Sequence, residues 1–134
     1  MFAKQYRLLD SEVVKLQDKL SESDFNSHGV VKLLRAITIG IEDKISTNPF
    51  ASHFALQHPL KKYCRLKKMG LNERYRLFFR AFKKQKTIII LWLGFPRKEG
   101  DKNDCYAVFT NMVAKGVFSE SLESLIVESS TDFT

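Results

Sequence analysis

The sequence predicts an α+β fold: an N-terminal helical hairpin packed on a small antiparallel β-meander and closed by a C-terminal helix. Three observations carry this prediction. Residues 2–21 and 30–45 repeat apolar side chains every three and four positions, the period of a helix face. Residues 63–93 read as three strands joined by short connections, which force antiparallel pairing. An apolar-faced segment over 103–115 ends at Gly116, where a helix can stop in the left-handed conformation. With 134 residues, the chain has room for one ordinary core. Residues 1–127 therefore read as a single domain and residues 128–134 as a mobile acidic tail.

Along the chain, Phe2, Tyr6, Leu9, Val13, Leu16 and Leu20 form one apolar stripe. A polar break over 21–29 follows, in which Asn26 or Ser27 offers a cap for the next helix. That helix carries Val30, Leu33, Leu34, Ile37, Ile41 and Ile45, and Asn48-Pro49 ends it. Residues 46–60 have no clear period and read as a loop. Strands are expected near 63–69, 73–82 and 86–93, the last apolar on both faces and so central and buried. A polar loop over 94–102 leads to the closing helix, whose apolar side holds Tyr106, Phe109, Met112 and Val113. Residues 117–127 are expected to add one short helix.

Alternation along the first two strands separates two faces. Cys64 and Leu66 share one face with Tyr75, Leu77, Phe79 and Ala81. The opposite face collects Tyr63, Arg65 and Lys67 from the first strand and Arg74, Arg76, Phe78 and Arg80 from the second. An apolar face on a core and a cationic face turned elsewhere is a surface suited to a polyanion, of which RNA is the commonest. The charge distribution agrees. Residues 1–60 are balanced, whereas residues 61–102 hold fourteen basic against three acidic side chains, and residues 103–134 are acidic.

Several classes are disfavoured. No apolar run approaches the ~18–20 residues that span a bilayer, and the charged, amphipathic N-terminal stretch does not read as a signal peptide. A cytoplasmic location is expected, with Cys64 and Cys105 reduced, since two cysteines do not make a disulfide scaffold. The two cysteines and three histidines lack the spacing of a zinc site, so no metal and no cofactor are expected.

The motifs Arg65-Leu-Lys67, Arg74-Tyr-Arg-Leu-Phe-Phe-Arg80, Ile88-Ile-Ile-Leu-Trp92 and Arg97-Lys-Glu-Gly-Asp-Lys-Asn-Asp-Cys-Tyr-Ala-Val-Phe109 go further. On these residues the chain resembles the YhaV-type toxins of the RelE/ParE superfamily of bacterial toxin–antitoxin systems. The resemblance covers nearly the whole chain. It implies a RelE-like fold that cleaves mRNA without metal, free or on the ribosome. It also implies inhibition by a cognate acidic antitoxin with an AbrB-like DNA-binding part. Carried over position by position, Arg65, Lys67, Arg76, Arg97 and Tyr106 would be catalytic; beside the resemblance, Arg74, Arg80, Lys98 and Lys102 of the basic segment are expected to bind RNA. The family carries a strand-like segment before its first helix, and this chain begins almost at that helix. The sheet is then expected to lack that edge strand, or the start falls late.

The chemistry suits these residue types. Attack by a 2′-hydroxyl needs a base, an acid for the leaving 5′-oxygen, and positive charge where the phosphorane-like transition state gains electrons. Arginine's planar fork grips phosphate oxygens at that point. Lys67, among like charges that disfavour its cationic form, is a candidate base. Tyr106 is a candidate base or a stacking platform. Two other readings stay open: a ParE-like poison of DNA gyrase, which would not need the basic catalytic set, and a non-catalytic RNA-binding module.

Overall fold

The computed structural model of the chain describes residues 1–67, 75–94 and 104–131. Among these residues the fold is α+β, as the apolar periods predict. Helix α1 (Phe2–Lys19) leads into a short α2 (Glu22–Ser27) and then α3 (Gly29–Ile39). Strands β1 (Cys64–Leu66), β2 (Arg76–Phe82) and β3 (Thr87–Gly94) form an antiparallel sheet in the order β1-β2-β3. Helices α4 (Asp104–Ala114) and α5 (Leu122–Thr131) follow. No described helix is long and apolar enough to cross a membrane.

The helical hairpin differs in detail from the periodicity. The polar break at 21–29 contains α2, capped by Ser21, whose Oγ accepts from the Asp24 amide at 3.2 Å. Neither Asn26 nor Ser27 caps α3. His28 does so, with Nδ1 accepting from the Val30 amide at 3.2 Å. The helix predicted to reach Ile45 is α-helical only to Ile39, then widens into a π-helical turn over Gly40–Ile45. At this turn the sheet comes close. A Cβ on Gly40 would stand 2.6 Å from Cδ2 of Leu66, so only glycine lets β1 press this near. Across the widened turn the Ser46 amide reaches back to the Ile41 carbonyl at 3.0 Å. The expected loop over 46–60 contains one 3-10 turn, Ser52–Phe54. The last helix continues to Thr131, past the boundary at residue 127 that the sequence predicts.

Two hydrophobic cores sandwich the sheet. On one face Leu66, Leu77, Phe79 and Leu93 meet Leu33 and Ile37 of α3, Ile45 of the π turn and Phe54. Phe2, Tyr6 and Leu9 of α1 pack against the same cluster. The opposite face, predicted to be cationic and open, is covered. Tyr63, Phe78 and Trp92 lie under Cys105 and Phe109 of α4, with Phe118 and Leu125 completing the cluster. Phe78 stacks on Phe109 with centroids 4.2 Å apart. Among the described residues this second core covers part of the face that alternation assigns to the cations.

A β-bulge makes that core possible. Phe78 pairs with Trp92 and Phe79 with Ile90, so Leu91 is an extra residue in β3. Leu91 and Trp92 consequently face the same core, and Leu93 turns to the other. Strict alternation would have sent Trp92 away from Phe78. At the outer edge of β3, the Gln5 side chain takes the place of a neighbouring strand. Its Nε2 donates to the Leu93 carbonyl at 3.0 Å, and its Oε1 accepts from the Leu93 amide at 2.9 Å. This contact ties α1 to the sheet and satisfies backbone groups of a fully buried residue. Gln5→Leu should therefore lower the unfolding free energy by about 1–3 kcal/mol, since both groups lose their partner. Urea denaturation checks this.

Candidate functional site

The β1–β2 register places the basic side chains. Arg65 pairs with Phe78 and Leu66 with Leu77. Extended by one residue, the same register sets Lys67 opposite Arg76. Arg65, Lys67 and Arg76 therefore share one face at the end of the sheet where β1 stops and β2 begins, and Arg65 and Arg76 are diagonal neighbours. Arg65 is half-buried and Lys67 exposed, whereas Arg76 is only 7% exposed and is the buried charged residue of the described core.

Tyr106 of α4 joins the two arginines. Its hydroxyl oxygen accepts from Arg65 Nε at 2.8 Å and from Arg76 Nε at 3.2 Å. The Arg76 guanidinium also lies 5.9 Å from the centre of the Tyr106 ring. Each arginine is held at a second point: Arg65 Nη1 donates to the His53 carbonyl at 2.6 Å, and Arg76 Nη1 to the Tyr75 carbonyl at 2.9 Å. The Tyr106 ring is set edge-on to Phe78 at 5.7 Å, so the aromatic core fixes where the phenol stands. Two guanidiniums converging on one oxygen form a preorganised cationic cradle whose remaining donors are suited to a phosphate. Tyr106 is thus both a wall of the second core and a member of the cluster, two roles that its apolar neighbours in sequence do not reveal.

Of the other predicted site residues, one is described. Arg80, on the same face as Arg76 but beyond Phe78, donates to the Glu120 carbonyl and lies 4.6 Å from the centre of the Phe82 ring. It ties β2 to the segment before α5 and does not join the Tyr106 cluster. Arg74, Arg97, Lys98 and Lys102 fall outside the described residues. His53 was not singled out by the sequence, because its contribution here is a backbone carbonyl that any residue could supply. Among the described residues no group of three or more His, Cys, Asp or Glu is arranged to hold a metal.

The comparisons with known proteins bear on this site. The model of one protein family, described as a toxin with endonuclease activity, of toxin–antitoxin system, matches residues 1–130. The chain belongs to this family. Toxin YhaV of Escherichia coli O6:H1 is 43% identical over 58 residues, which cover 41% of this chain and 38% of that protein. Ribonuclease toxin YhaV of Escherichia coli K12 is 46% identical over 46 residues, covering 32% of this chain and 30% of that protein. The matched stretches thus span less than two fifths of these YhaV relatives. No solved structure matches the chain.

Two outcomes follow for this YhaV-family chain. Tyr106→Phe removes the shared acceptor and leaves a buried Arg76 N–H unmet, so it should destabilise the fold by about 1–3 kcal/mol. The thermal midpoint relative to wild type reads this. On the other face of β1, burial pushes the Cys64 thiol above its ordinary value of 9.0. The folded state therefore holds that proton more tightly. Its contribution to stability is fully present below 9.0 and is lost as pH rises from there towards the folded value. Denaturation of wild type against Cys64→Ala across this range should show the difference shrinking at the alkaline end.

Proposed function

We propose that this chain is the toxin of a toxin–antitoxin pair and acts in the cytoplasm as a metal-independent endoribonuclease on mRNA. The observation that carries the reading is the convergence of Arg65 and Arg76 on the Tyr106 hydroxyl. Membership of a family described as toxins with endonuclease activity supports it.

In this reading the scissile phosphate sits against the outward donors of the two guanidiniums. The 2′-oxygen of the preceding ribose attacks phosphorus, a new P–O2′ bond forms, and the P–O5′ bond breaks. The arginines neutralise the charge that grows on the non-bridging oxygens. A phenol has two acceptor lone pairs and one hydrogen. Here the arginines occupy the acceptor side, so Tyr106 has its proton to donate. In this reading it is the acid for the departing 5′-oxygen, and the two guanidiniums stabilise the phenolate it leaves. Lys67, exposed and opposite Arg76, takes the proton of the 2′-hydroxyl. Arg97 is proposed as a further phosphate contact on the resemblance alone, and Arg74, Arg80, Lys98 and Lys102 as contacts along the RNA.

The proposed protein partner is an acidic antitoxin with an AbrB-like DNA-binding part, which would inhibit by covering the cationic cradle. The basic surplus over residues 61–102 favours such a partner.

The test is incubation of a defined mRNA with the protein in EDTA, with and without translating ribosomes. Products ending in 2′,3′-cyclic phosphate or 3′-phosphate are expected. Arg76→Ala should reduce the rate by about 10²–10³-fold, the usual cost of one transition-state donor. Intact RNA in every sample, combined with inhibition of gyrase supercoiling, would overturn the reading in favour of a ParE-like poison. Salt-sensitive RNA binding without cleavage would leave only an RNA-binding module.

A further inference from the structure

A cavity of about 730 Å³ opens beside Arg65, between the π-helical turn and β1. Its volume falls within the ~300–1,000 Å³ typical of small-ligand sites. Its floor is apolar, built from Phe54 and Leu66, which belong to the first core. Asp43, Lys44 and Asn48, delivered by the π turn and the residues after it, also line it. Arg65 and Lys67, the same side chains that border the cationic cradle, line it as well.

The cavity and the cradle are therefore continuous through one side chain. Arg65 gives its Nε to Tyr106 and lines the cavity as well. A nucleotide whose phosphate meets Arg65 would have apolar side chains and hydrogen-bonding groups in the adjoining cavity to receive its base. Proteins that read single-stranded RNA use this combination: the base is splayed from its neighbours, seated on a hydrophobic or aromatic surface, and bonded along its edge. Among the described residues no hydrogen-bond partner engages the Asp43 carboxylate or the Asn48 amide, and both are exposed to the cavity. The π turn carries Asp43 and Lys44, which line the cavity, and such turns recur at functional sites.

We infer that this cavity is a nucleobase pocket that gives the toxin its sequence preference, with Asp43 reading the base edge. A carboxylate is an acceptor only, so it selects a base with adjacent donors. Guanine offers two, N1–H and the N2 amino group, and is the base of choice. The Asn48 amide, with one acceptor and two donor hydrogens, supplies the second contact. The inference rests on the ribonuclease reading of the Arg65–Tyr106–Arg76 cluster and adds to it the residues that choose where the RNA is cut.

The probe is a set of short, fully 2′-O-methylated oligoribonucleotides, which cannot undergo 2′-hydroxyl attack and differ at one base. Binding to the full chain is followed by fluorescence anisotropy. Wild type should favour guanine by about tenfold or more, the discrimination a good bidentate contact gives. Asp43→Asn should abolish that ranking with an unchanged melting curve, because Asp43 is exposed. Arg65→Ala should weaken all four oligonucleotides alike. If wild type binds RNA through Arg65 but the base ranking is flat, or survives both Asp43→Asn and Asn48→Ala, the pocket assignment is wrong and the nuclease reading stands. Absence of RNA binding by wild type would sink both. Loss of antitoxin binding in Asp43→Asn, with the base ranking intact, would assign the cavity to a protein contact instead.

Discussion

A guanidinium placed almost out of water must have its hydrogens met, and at Arg76 that requirement organises the whole face of the sheet. Its Nε is met by Tyr106 and one Nη by the Tyr75 carbonyl. Tyr106 can stand there only because α4 lies across the sheet. That helix is fixed by Phe109 stacked on Phe78, with Trp92 stacked on the other two rings. Packing enthalpy and aromatic burial thus hold the phenol in position, and the phenol holds two cations at one point. A buried cation without such a partner is strongly destabilising, so the cluster and the second core depend on each other.

The same logic explains the bulge in β3. A central strand with apolar residues on both sides could serve either face in either register. One extra residue, Leu91, settles the matter by turning Trp92 to the α4 side and Leu93 to the α1 side. Leu93 then presents its amide and carbonyl to Gln5, so the helix that covers the first face also closes part of the sheet edge. Edge closure of this kind limits unwanted strand pairing. It comes here from one side chain rather than from a further strand.

The two sides of β1 carry different duties. Leu66 packs against Gly40 at the start of the π turn and lines the cavity, while Arg65 reaches across to Tyr106. A strand of three residues therefore joins the first core, the cavity and the cationic cradle. Small displacements of β1 would move all three together. That coupling accounts for a chemically demanding arrangement on so short an element.

By itself the sequence determined the fold class, the number and order of the main helices and strands, and the face on which Arg65, Lys67 and Arg76 lie. Those features follow from local periodicity, and a period of two or of 3.6 residues is written in consecutive side chains. The basic stretch and its motifs also indicated the family. Tertiary structure alone decided that the cationic face is partly covered by α4 and α5, because which helix covers which face depends on contacts distant in sequence. It decided likewise that His28 caps α3, that the helix widens into a π turn at Gly40, and that Leu91 bulges. It kept Arg80 on Phe82 and the Glu120 carbonyl, where alternation had grouped it with Arg76. The meeting of Arg65, Arg76 and Tyr106 is of the same kind: the residues were nameable one by one, but their convergence on a single oxygen is a product of packing between elements thirty and forty-one positions apart.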